Sequence, residues 1–184
     1  MARETHLPVL FQLFRQYGYD GVSLSKIAAT TELGKASLYH HFPGGKAEMV
    51  VAALAYGSFW MEENVFSTLR SPGEVLSKFE KMCDRLCELY DSGESPSLLA
   101  ALIAGGKRDV FAEQIEGHLR KWIDAIAQVL IEAGVEPATA QQKGEDAVVS
   151  IQGALIVSRG MGDVAVFKRA IACIPAALCE GIDS

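Results

Sequence analysis

Apolar residues recur at three- and four-residue steps along almost the whole chain, and no stretch alternates apolar with polar residues as a half-buried strand would. A chain patterned this way must bury helical stripes against one another, so the expected class is all-α. Punctuation sets the expected elements. Leu7, Leu10, Phe11, Phe14 and Tyr17 share one face of a first helix, with Pro8 tolerated only in its first turn. Ser23 has the chemistry of an N-cap for a short second helix whose inner face is Leu24, Ile27 and Ala28. A turn over Thr31–Gly34 leads to a third, Lys35–His41, stopped by Pro43-Gly44-Gly45. Longer helices follow: Lys46 to Leu69, one capped by Ser71 with Pro72 at its first position, Leu98–Ala104, Asp109 to Ala133, Pro137 to Arg159, and Val164 to Glu180 interrupted at Pro175. That makes about nine helices, divided at residue 50 into an N-terminal three-helix module (1–50) and a C-terminal helical bundle (51–184).

Charge separates the two parts. Residues 1–50 hold five basic and four acidic side chains, a net of +1, against −6 for the whole chain, which leaves −7 for the rest. The acid is concentrated outside the first quarter, which permits a DNA-facing module there. No apolar run reaches the roughly 18 residues that would cross a bilayer, and the N-terminus lacks the apolar stretch of a secretory signal. A cytoplasmic protein with reduced Cys83, Cys87, Cys173 and Cys179 is the expectation.

Two short helices joined by a tight turn, with a third ahead of them, have the dimensions of a helix-turn-helix. A recognition helix must fit a major groove about 12 Å wide, so it presents small and polar side chains outward and anchors itself by a few bulky apolar ones. The segment Lys35-Ala36-Ser37-Leu38-Tyr39-His40-His41-Phe42 meets both demands, with Leu38 and Phe42 four apart and inward. Adjacent His40 and His41 point about 100° apart on a helix, and no Cys or carboxylate cluster completes a metal set. No metal and no cofactor is expected. Gly44-Gly45-Lys46 and Gly105-Gly106-Lys107 lack the earlier glycine, the following Ser/Thr and the preceding strand of a phosphate loop.

Gly21-Val-Ser-Leu24, Ile27-Ala28-Ala29 and Lys35-x-Ser-Leu-Tyr-His-His-Phe42 followed by Lys46 together resemble the DNA-binding module of TetR-family transcriptional regulators. The close likeness covers about residues 5–55. The phrase from Ile151 to Arg159, with Gly162-Asp163 and Phe167, is similar to that family's ligand-binding part. The resemblance implies a homodimer that binds a palindromic double-stranded operator and is released when a small molecule occupies the C-terminal domain. It implies that Ser23 caps its helix toward a phosphate, that Lys35 and Ser37 reach base edges or phosphates, and that Tyr39, His41 and Lys46 contact the backbone. His40 occupies a variable contact position. Three departures bear on which operator is read: Glu32 stands where a glycine suits a positive φ, Gly34 where a hydroxyl caps, and Ala36 where glycine is common, its methyl available to a thymine methyl.

For a small apolar effector the expected lining is Phe79, Cys83, Leu86, Trp122, Ile126 and Gln152. For dimerisation it is Ile151, Leu155 and Ser158 on one long helix with Phe167, Ile171 and Ile174 on the next, two helices per subunit making a bundle. Cys83 and Cys87 share a helix face, where small buried hydrophobes are the ordinary reading and a redox or soft-metal site the rarer one. The rival classes are a helical carrier or enzyme with a vestigial cap, and an adaptor that binds protein; no nucleophile–base set or cofactor fingerprint supports catalysis.

Overall fold

A computed structural model describes residues 2–182. Among them every regular element is helical: α1 Ala2–Thr5, α2 Leu7–Tyr17, α3 Leu24–Thr31, α4 Lys35–His41, α5 Gly45–Met61, α6 Ser67–Arg70, α7 Val75–Leu89, α8 Leu98–Ala104, α9 Ala112–Glu132, α10 Pro137–Met161 and α11 Ala165–Cys179. A π-helical turn, Glu62–Phe66, joins α5 to α6, and a 3₁₀ turn, Asp91–Gly93, follows α7. No helix among the described residues is long and apolar enough to cross a membrane.

The residues pack as two compact units, 1–59 with 97–115 and 60–96 with 116–184. The line therefore falls at residue 59 rather than 50, and the first unit recruits a later segment. In that unit α2 buries Leu10, Leu13 and Phe14, and α8 buries Leu98, Leu99 and Leu102; the two helices are direct neighbours. Ser97 caps α8, its hydroxyl oxygen accepting from Ala100 N–H at 3.3 Å. Phe11 is seated against α5 because residue 57 is glycine: a Cβ there would lie 2.8 Å from the Phe11 ring. In the second unit α10 packs on α11 and α11 on α7, around a core that includes Phe66, Phe79, Trp122, Ile151 and Phe167.

Several expected boundaries are corrected. Ser71 does not start a helix but ends α6, its hydroxyl donating to Thr68 O at 2.6 Å. Gly73 follows with φ +140°, a backbone only glycine adopts readily, so α7 begins beyond it at Val75. Pro175 does not interrupt α11. It is buried on the same helix as the buried Ile174 and Leu178, and packing outweighs the lost backbone hydrogen bond. The chain from Gly45 to Arg70 departs from the regular repeat at its π turn, which no periodicity argument anticipates.

Candidate nucleic-acid interface

Ser23 is extended (φ −85°, ψ 155°), and its hydroxyl oxygen accepts from Lys26 N–H at 3.1 Å, so it caps α3 as expected. Thr31 closes the helix, its hydroxyl donating to Ile27 O at 2.7 Å. The turn into α4 then passes through Glu32, whose φ is +57°, the left-handed conformation that costs a side chain energy. Gly34 occupies the cap position of α4 without a side chain to fill it.

Helix α4 covers Lys35–His41, the range expected. Leu38 is 1% exposed and Phe42 0%, and the Arg3 guanidinium lies 4.8 Å from the Phe42 ring centroid. With those two residues fixed inward, Lys35, Ala36, Ser37, Tyr39 and His40 are exposed on one short rigid element and His41 is half-buried. The His6, His41 and His40 rings adjoin in a row, with centroids 6.3 and 5.4 Å apart. His6, which sequence reasoning missed, thus reaches the same end of the surface; its spacing of 35 residues from His41 carried no local signal.

Ion pairs in this unit each take one acid with one cation, so they leave its net charge unchanged. Glu48 pairs with Arg3 at 2.9 Å and Asp20 with Lys107 at 3.1 Å. Lys35 stays exposed on α4. Lys46 is partly spoken for: its ammonium donates to Val22 O at 3.1 Å and lies 4.2 Å from the Tyr19 ring centroid. An ammonium has three protons, so this contact orients Lys46 without exhausting it.

In the second unit Phe79, Cys83, Leu86, Trp122 and Ile126 are all buried in one cluster, and Gln152 donates to Tyr90 Oη at 3.3 Å. Burial pushes the Cys83 thiol up to about 12 and raises Cys87 as well, with neighbouring acids adding, so both resist ionisation as small hydrophobes do. The Trp122 indole N–H is fully enclosed, and no group among the described residues accepts from it. A groove of about 460 Å³ lies between α10 and α11, lined by Lys143, Asp146, Ser150, Cys173, Ile174 and Leu178 among others, and includes none of the six expected effector residues.

The expected dimer stripe is corrected. Ile151, Leu155, Ser158, Phe167, Ile171 and Ile174 are each at most 4% exposed within the single chain, so they form its own core. The outward face of α10 instead carries Val149, Ile156, Val157 and Met161, 48–69% exposed, with Gly153 and Gly160 between them. The α10 sequence is apolar on both faces, and periodicity gives no means of choosing which stripe turns inward.

A family model described as "Bacterial regulatory proteins, tetR family" matches residues 9–53, and one described as "Transcriptional regulator LmrA/YxaF-like, C-terminal domain" matches residues 75–173. The chain is 25% identical to the HTH-type transcriptional regulator LmrA of Bacillus subtilis, over 95% of each chain. Its fold is similar to that of a TetR transcriptional regulator from Legionella pneumophila (TM-score 0.82, 21% identity, 92% and 93% of the two chains). It is also similar to NemR from Escherichia coli in its reduced form (TM-score 0.79, 20% identity, 100% and 98%).

Proposed function

The chain belongs to the TetR family and is a DNA-binding transcriptional regulator, and from that premise we propose that it is a repressor released from a palindromic operator by a small apolar effector. The reading rests above all on α4: five consecutive-face side chains are exposed on a helix locked by Leu38 and Phe42. Lys35, Ala36 and Ser37, at its N-terminal end, meet base edges. Tyr39, His41, Lys46 and the α3 cap at Ser23 meet phosphates, and His40 meets either. Backbone contacts fix register and base contacts carry sequence, so the operator is chosen by few residues.

Two copies join through the outward face of α10, with Val149, Gly153, Ile156 and Val157 as its apolar centre, and the exposed Ala172 and Cys173 of α11 beside it. A twofold dimer of this kind presents two α4 helices to half-sites about 34–36 Å apart. The effector enters the cluster around Trp122, and it releases DNA only by as much as it prefers the form that does not fit the operator.

The test begins with DNA fragments selected from a random pool by the purified protein. A palindromic consensus whose binding falls steeply with salt is expected. Tyr39→Ala should weaken that binding while leaving the dimer's mass unchanged. Salt-independent binding, or no enrichment at all, would overturn the reading in favour of a helical carrier with an idle cap.

A further inference from the structure

We propose that the effector carries a neutral oxygen acceptor, a carbonyl or its equivalent, on an otherwise apolar body, and that the Trp122 indole N–H is the group that holds it. The inference rests on the effector reading above and adds the chemical class.

Trp122 is 0% exposed, and its one polar side-chain atom has no acceptor among the described residues. Indole nitrogen only donates, and nearly all buried donors in native proteins are paired. Met61, Phe66, Phe79, Met82, Leu86 and Ile126, all buried in its cluster, carry no oxygen or nitrogen on their side chains to answer it, and the cluster's Tyr90 hydroxyl, which accepts from Gln152, does not accept from it. An apolar lining with a single unmet donor is complementary to an apolar molecule with a single acceptor.

The wall of this cluster is also its least regular part. Val65 and Phe66 belong to both the cluster and the π turn Glu62–Phe66. Such turns carry an extra residue and are frequent at functional sites. Met61 and Met82 bring flexible, unbranched side chains that can make room for a guest.

Charge selects against an ionised ligand. Glu62 takes both nearby cations, pairing with Lys121 at 2.6 Å and with Arg70. His118, one turn before Trp122 on the same face of α9, is half-buried, and desolvation holds it down to about 4, so it is neutral at physiological pH. No unpaired cation among these groups calls for a carboxylate.

Acetophenone and α-methylstyrene differ only in C=O against C=CH₂ and serve as the probe pair. The wild-type protein should bind acetophenone about tenfold more tightly, and only the ketone should move the Trp122 indole N–H resonance downfield, that of Trp60 staying in place. Trp122→Phe should bind the two equally. Equal binding by the wild type, binding of neither, or a preference that survives in Trp122→Phe would overturn the proposal. Where that variant does not fold, the wild-type pair and the indole shift decide alone. Gel shifts on the selected operator, run on the same samples, separate the two readings. Ketone binding through Trp122 without DNA release would sink the release reading and leave the anchor standing. Release by ligands that leave the Trp122 resonance unmoved would do the reverse.

Discussion

Replacing Glu32 by glycine should make the protein more stable and its grip on DNA stronger, and the two effects are separable. Glu32 holds φ +57° and ψ 20° at the end of α3, exposed to solvent. The left-handed conformation costs a residue with a Cβ roughly 1–2 kcal/mol. Glycine removes that cost but loses roughly 0.5–1 kcal/mol through the greater freedom of its unfolded chain. The net gain is about 0.5–1 kcal/mol, or about 1–4 °C in melting temperature for a chain of this size. A carboxylate about 8 Å from a phosphate in water repels it by about 0.5 kcal/mol, so at that separation losing the Glu32 charge should tighten DNA binding by a factor of about two. Glu32→Ala is the control, because it removes the same charge and keeps the Cβ. Both variants should bind the selected operator equally, with the wild-type salt slope, since that slope counts neutralised phosphates. Only Glu32→Gly should melt higher. A Glu32→Gly protein that melts no higher than Glu32→Ala, or two variants of unequal DNA affinity, would refute the reasoning.

Three further outcomes are expected. Gly57→Ala places a methyl 2.8 Å from the Phe11 ring and should cost about 1–3 kcal/mol in denaturant unfolding, while Gly117→Ala, with open space at its Cβ, should not. His118 is neutral in the fold down to about 4, whereas the unfolded chain takes up its proton near 6.5, so stability should fall as pH drops through that window and level off below it. The difference amounts to about 3 kcal/mol, and pH-dependent urea melts of His118→Gln should lack that slope. Ile156→Asp, on the exposed face of α10, should halve the particle mass by light scattering without loss of helical circular dichroism; an unchanged mass would clear that face of any role in pairing.

The sequence was most legible where chemistry acts locally. Ser23 declared the start of α3 through its own hydroxyl, and Pro43-Gly44-Gly45 declared the end of α4, so the recognition segment could be placed to the residue. The spacing of Leu38 and Phe42 fixed which side of α4 turns inward and hence which residues remain outside. Legibility failed where a decision belongs to neighbours distant in sequence. Pro175 stays helical because Ile174 and Leu178 are anchored, and Ile151 is core while Val149 is surface because α10 meets its partners along only one of two equally apolar stripes. The π turn at Glu62–Phe66 has no compositional mark at all.

The burial of α8 against α2 has a practical corollary for anyone wishing to move this reading head onto another protein. A cut after residue 50, or even after 59, would strip Leu10, Leu13 and Phe14 of the covering that Leu98, Leu99 and Leu102 supply. The portable piece is discontinuous, and a chimera would have to carry both stretches, with any foreign sensor spliced in between and after them.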